Sequence, residues 1–231
     1  MKKTTIGIII VIIVSFLGLV GYKMWSTTNF EKYDLNRIIP ANEDNGQIGD
    51  HVLGKADAPV LLFEYGDFQC EGCASLNPIL QTLVKEFGGK VGIVMRYFLL
   101  SYHQNATAAA SAAEAAGKQG YYEKFADLLF KNQQVWNHAG VEERTQIFLD
   151  LFKKVSGGKG DQDKFQADMA SSEVKKKINF DMGLGKRLSE ITATPTLFMD
   201  GQKIDHKEMT LDGLRAKIRA KLGENQATLK K

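Results

Sequence analysis

Cysteine is scarce in this chain: two residues in 231, Cys70 and Cys73. Two thiols cannot build a framework of several disulfides, so the fold must rest on a hydrophobic core. The hydrophobic share of 44% is ordinary for a globular protein and permits one of useful size. Histidine is also sparse. His51, His103, His138 and His206 fall at neither helical nor hairpin spacing, and a zinc site would need two ligands besides the cysteines. The formal charge of +3 is mild, and no basic stripe interleaved with aromatics runs along the chain, which argues against nucleic-acid binding. There is no internal repeat. No cysteine lies near the N-terminus, which excludes lipid modification there.

One long apolar run stands out. After Met1-Lys2-Lys3 the chain carries no charge from Ile6 to Val20, and Tyr22 and Trp25 follow. A span needs roughly 20 apolar residues, and an aromatic belt suits its interface. A cleaved signal would end in a small-x-small pair, and none is evident. The segment 1–25 therefore reads as an uncleaved anchor in preference to a cleaved signal. In either case the two lysines stay in the cytoplasm and the rest of the chain is exported. Export places the two thiols in an oxidising compartment. Residues 26–48 are polar and read as a linker that lifts the domain from the membrane.

Apolar periodicity organises the remainder. A buried strand is expected over 59–65. The helix behind it carries Leu76, Ile79, Leu80, Leu83, Val84 and Phe87, with Gly88-Gly89 as its stop and a kink at Pro78. A second strand covers 91–98. Helical patterns follow over 106–116, 121–130, 141–155, 163–169 and 172–188, with a flexible glycine-rich break at 157–160. Strand character returns over 194–199, Asp200-Gly201 signals a hairpin, and 202–205 is the partner strand. A last helix carries Leu211, Leu214, Ile218 and Leu222, and 224–231 is a polar tail. The predicted class is α/β: a thioredoxin-like core over 49–223, with a helical domain inserted at about 104–188 and a membrane helix in front.

The chemistry centres on Cys70-Glu71-Gly72-Cys73. The pair sits where a strand turns into a helix, so one helical turn can close a disulfide between them. Unpaired N–H groups and the helix dipole favour a thiolate at Cys70, the nucleophile. Cys73, one turn further in, is the resolving thiol. Glu71 opposes this trend, and a milder lowering of the Cys70 pKa is expected from it. A structural disulfide, a zinc site and two inert buried thiols are the competing readings. Glu64, inside an apolar strand, is read as a buried carboxylate that moves a proton to or from Cys73, against the plainer reading of an acid at a strand edge. Asp67 is expected to be a solvated cap and His103 a capping or loop residue. Trp136, Tyr121 and Tyr122 are expected in the core of the insertion. Pro195 is expected in cis, with Thr194 before it pairing with an extended substrate segment beside Cys70. Phe68 is taken as a second substrate contact.

As a set, these segments resemble one known family. His51-Val52-Leu53-Gly54-Lys55-Ala56-Asp57-Ala58-Pro59-Val60 is similar to its first strand, and Glu64-Tyr65-Gly66-Asp67-Phe68-Gln69-Cys70 to its approach to the thiol pair. Residues 105–119, 121–130 and 133–136 resemble its helical insertion. Thr194-Pro195-Thr196-Leu197-Phe198 resembles its cis-proline strand. The family is the exported or membrane-anchored thiol–disulfide oxidoreductases related to bacterial DsbA, and the resemblance covers about 49–222. It implies a thioredoxin core with a helical cap, Cys70 as nucleophile, Cys73 as resolving thiol, Pro195 in cis and an acid at Glu64. It also implies exchange without a dissociable cofactor and recycling by a membrane quinone-linked thiol oxidase. Two features depart from the family: Glu71-Gly72 replaces the Pro-His of strong oxidants, and Leu100 and Gln104 stand where prolines are frequent. The expected activity is donation of the Cys70–Cys73 disulfide to reduced exported proteins, from a single-pass membrane protein facing outward. A reductase or isomerase fed by a membrane electron carrier is one alternative, and a non-redox peptide-binding module or chaperone is another.

Overall fold

The computed structural model describes residues 13, 30–188 and 190–224. The expected membrane helix over 1–25 lies outside the described residues, Ile13 apart. Among the described residues no helix is long and apolar enough to cross a membrane. The chain divides into two units, Met1–Lys32 and Tyr33–Lys231. In the first, a single 3-10 turn is described at Phe30–Lys32.

The second unit is built on a five-stranded sheet: β1 (His51–Gly54), β2 (Val60–Gly66), β3 (Val91–Tyr97), β4 (Thr196–Met199) and β5 (Gln202–Lys203), in the order β1-β3-β2-β4-β5. β2 and β3 run parallel, and the other pairings are antiparallel. The parallel pair is joined by α1 (Glu71–Phe87), the crossover such a pair requires. Between β3 and β4 six helices are inserted: α2 (Ala106–Gly117), α3 (Tyr122–Lys131), α4 (Gln133–Trp136), α5 (Val141–Ser156), α6 (Gln162–Met169) and α7 (Ser172–Lys186). α8 (Leu211–Leu222) closes the domain.

Strand alternation decides what β2 presents to each face. Val60 and Leu62 point to the side of α1 and α8, where they join Leu76, Leu80, Leu83, Leu214 and Ile218 in one core cluster. Glu64 shares that parity. A second cluster gathers the helical insertion around the start of α1, with Phe68, Cys73, Tyr97, the alanines of α2, Phe125, Trp136, Phe148 and Phe152. Tyr122 and Trp136 take the core positions expected of them: Trp136 is fully buried and donates its Nε1–H to the Leu129 carbonyl at 2.9 Å, and the Tyr122 hydroxyl lies 3.1 Å from that of Tyr97.

Three expectations are corrected. The segment 26–48 is not a polar linker throughout. From Tyr33 onward it belongs to the compact unit, with Ile39 and Asn45 buried. Arg96 holds it there: its guanidinium donates to the carbonyls of Leu35 (2.8 Å) and Arg37 (2.7 Å) and pairs with Asp50 at 2.7 Å. Composition could not reveal this, because the ordering groups are backbone carbonyls and a charge hidden in a strand. The last strand stops at Lys203, although Ile204 N–H still reaches the Leu197 carbonyl at 2.8 Å. α7 stops at Lys186 rather than 188 and runs through Gly183 and Gly185. Gly185 is needed there, since a Cβ would come within 2.6 Å of the Phe98 ring.

Candidate active site

The end of β2 delivers the chain into a turn organised by Asp67. Its Oδ1 accepts the Gln69 N–H at 2.8 Å, and its carbonyl accepts the Cys70 N–H at 3.0 Å. Its Oδ2 accepts the Leu100 N–H at 3.0 Å and lies 2.8 Å from Nδ1 of His103. Asp67 is fully buried, so the solvated cap expected of it is corrected: groups from its own turn and from the loop after β3 converge on its carboxylate. Cys70 is the N-cap of α1, in extended conformation, with its sulfur partly exposed. Cys73, one turn in, is fully buried, and the Asp67 N–H points at its sulfur at 3.5 Å.

Opposite the helix start, the Thr194-Pro195 bond is cis. The Cys70 sulfur lies 3.2 Å from the Thr194 carbonyl oxygen, to which its thiol form donates. Gly72 faces the proline so closely that a Cβ there would stand 2.9 Å from Pro195 Cδ. The Thr194 hydroxyl is buried beside the Cys70 sulfur, with no other hydrogen-bond partner. Glu64 lies beneath, 4% exposed, with Oε1 likewise unpartnered.

This arrangement separates the two thiols electrostatically. The Cys73 thiol, then the Thr194 hydroxyl and the N–H groups of Cys73 and Gly72, outweigh burial and pull the Cys70 pKa down to about 5. Burial, reinforced by the neighbouring Cys70 and Glu64, pushes Cys73 well above an ordinary thiol. Burial likewise raises Glu64 to about 7, against the bond from Cys73. Glu71 is exposed, and the groups that lower the Cys70 pKa are on the protein side of the sulfur. At neutral pH the outer sulfur is a thiolate, the inner one a thiol, and the carboxyl between protonation states.

Phe68 does not face a substrate. It is fully buried between Tyr97 and Phe130, so the contact expected of it is withdrawn. Strand-to-turn geometry rotates it inward while Cys70 turns out. Several functional residues carried no signal that sequence reasoning used. Gln69 accepts the Asn105 N–H at 2.6 Å and donates to the Asn137 carbonyl at 3.0 Å. Asn105 donates to the carbonyls of Trp136, Asn137 and Ala139. Gln133 donates to the carbonyls of Phe68 (2.7 Å) and Cys70 (3.0 Å). These buried amides fasten the thiol loop to the insertion. The only available clue was polar residues inside helical or apolar stretches. Between the loop and the insertion opens a groove of about 580 Å3, lined by Cys70, Glu71, Tyr102, His103, Asn137 and His138 among others. Among the described residues no cluster of His, Cys, Asp and Glu could hold a metal ion.

Residues 46–220 match the family model described as thioredoxin. The chain is 33% identical over 188 residues to the Na(+)/H(+) antiporter NhaA 1 of Salinispora arenicola, a match covering 80% of this chain and 26% of that protein. The chain thus spans about a quarter of the length of that curated relative. Among solved structures, oxidised BdbD from Bacillus subtilis superposes with a TM-score of 0.65 at 22% identity, covering 81% of this chain and all of that one. A variant of alpha-DsbA1 from Wolbachia pipientis gives 0.60 at 26% identity, covering 76% and 91%. A thioredoxin-like oxidoreductase from Silicibacter pomeroyi gives 0.57 at 25%, covering 77% and 98%.

Proposed function

Because this chain belongs to the thioredoxin family, as a thiol–disulfide oxidoreductase of the DsbA-like kind, we propose that it works as an oxidant, donating the Cys70–Cys73 disulfide to reduced exported proteins. The observation that carries this direction is the lowered pKa of Cys70, about 5. Stabilising the thiolate stabilises the reduced pair, and a pair whose reduced form is favoured is a stronger oxidant.

The exchange runs as follows. A substrate thiolate enters the groove and attacks the exposed Cys70 sulfur. The bond between the two active-site sulfurs breaks, and its electron pair stays on Cys73, whose buried site demands a proton. Glu64, poised near neutrality beside it, supplies that proton. A second substrate thiol then attacks the mixed disulfide, and Cys70 leaves as a stable thiolate. Thr194 borders the sulfur and offers backbone to an extended substrate segment. No dissociable cofactor takes part. A membrane quinone-linked thiol oxidase restores the disulfide, and the segment 1–25 tethers the domain to the outer face of the cell membrane.

Equilibration of the Cys70–Cys73 pair against glutathione tests the direction. An oxidant is expected to lie above about −200 mV, toward the value of about −120 mV of a strong disulfide donor. A potential near about −270 mV, that of thioredoxin, would reverse the assignment to a reductant.

A further inference from the structure

His103 has no part in the exchange as described so far, yet it lines the same groove as the Cys70 sulfur. Its ring is held from behind: Nδ1 lies 2.8 Å from Oδ2 of the fully buried Asp67. A carboxylate offers only acceptors, so Nδ1 carries the hydrogen and Nε2 of the neutral ring is left as an acceptor. Tyr102 closes on the ring edge-to-face, with centroids 4.6 Å apart. A purely structural role is redundant, since Asp67 already accepts two backbone N–H groups, from Gln69 and Leu100. The other titratable groups facing the groove are Cys70, Glu71, Tyr102 and His138. Glu71 and His138 are exposed, and neither has a hydrogen bond to a buried group among the described residues.

An incoming cysteine of ordinary acidity has a pKa of about 8.5, so at neutral pH it arrives mostly as an unreactive thiol. We propose that His103, oriented by Asp67, is the base that takes the proton of the substrate thiol as its sulfur attacks Cys70. This rests on the exchange proposed above. In the oxidised protein the substrate S–H bond breaks and the proton passes to Nε2 of His103. The electron pair of that sulfur forms the new bond to Cys70 Sγ, the Cys70–Cys73 bond breaks, and its pair remains on Cys73 with the proton from Glu64. His103 then releases its proton to solvent through the open groove. Asp67 is a positioning residue, acting through the ring.

The test compares oxidised wild-type chain with His103→Gln, which keeps an amide for Asp67 but offers no base. Rates of mixed-disulfide formation are followed with a cysteine peptide across its own pKa, and with an aromatic thiol already ionised at neutral pH. With the peptide at neutral pH the variant is expected to be slower by about tenfold or more. The gap should close above pH of about 8.5, where the thiolate forms unaided. The aromatic thiol should react equally with both proteins. Equal rates with the peptide, or an equal loss at every pH and with both thiols, would overturn the proposal, the second pattern marking a structural or merely electrostatic role. Should the variant not fold, the wild-type pH profile decides. Base assistance makes the peptide rate rise less than about tenfold per pH unit below the thiol pKa, and a full tenfold rise refutes it. Wild-type chain that exchanges with neither thiol would sink the exchange reading itself, a result distinct from a variant that matches an active wild type.

Discussion

Replacing Glu64 by Gln separates its chemical role from its cost to the fold. Its folded pKa is raised from 4.5 to about 7, so the reduced native state binds a proton that the unfolded chain has released. Stability from this group is therefore present below about pH 4.5 and lost as pH rises through 7, by on the order of 3 kcal/mol. Chemical denaturation of the reduced protein should show this decline in the wild type and its absence in Glu64→Gln. The same variant should slow formation of the mixed disulfide, the step in which Glu64 gives Cys73 its proton, and remove an inflection near pH 7 from that step. At Cys70, Thr194→Val removes one of the groups that hold the thiolate. The pKa should move up from about 5, read by the ultraviolet absorbance of the thiolate, and the disulfide should become less oxidising. Cys70, Cys73 and Glu64 were legible as residue types in a pattern, and the fold brings the three together. The pairing of Asp67 with His103 was not, because the partners are 36 residues apart and meet only where β2 and the loop after β3 end side by side.

At the scale of elements, the active-site turn is held by the insertion as much as by the sheet. Gln133, in the short helix α4, satisfies two carbonyls of the loop that carries Cys70. Gln133→Ala takes the donor from the Phe68 carbonyl, while the Cys70 carbonyl keeps the Ala74 N–H at 3.1 Å, and should cost about 1–3 kcal/mol, seen as a lower denaturation midpoint. Because the Cys70 carbonyl is one of the two, exchange should also become less uniform, with Cys70 more widely reactive toward alkylating agents. The strands β2 and β3 and the helices α1, α2, α3 and α5 were readable from periodicity, since each buries one regular face. The ends of α7 and β5 were not. There the deciding contacts, Gly185 on Phe98 and Ile204 on Leu197, come from other parts of the chain.

Across the whole molecule, a buried ionic cluster joins the segment before β1 to β3 and α7. Asp50 pairs with Arg96 at 2.7 Å and with Lys177 at 3.1 Å, and Lys177 reaches Asp181 at 2.9 Å. Burial works against the Asp50 charge, yet Lys177 and Arg96 hold its pKa down to about 2. Its contribution to stability is thus present above pH 3.8 and lost as pH falls through 2. Arg96→Met removes one of the two cations on Asp50 and takes the guanidinium donor from the Leu35 and Arg37 carbonyls. A loss of about 3–5 kcal/mol is expected, with early proteolytic cleavage between residues 35 and 50 while the thiol pair still exchanges.

The thiol pair, the order of strands and helices and the inserted position of the helical domain could be read from the chain alone. Those follow from local regularities: thiols one turn apart and apolar residues at periods of two or 3.6. Folding was needed to show which groups stabilise the Cys70 sulfur, that Phe68 faces inward, that the segment from Tyr33 is part of the folded unit, and that His103 stands in the groove with its ring held. Each of these depends on groups distant in the chain being brought within hydrogen-bond distance and out of water. Burial and partner charges, which a linear order of residues does not contain, set their chemistry.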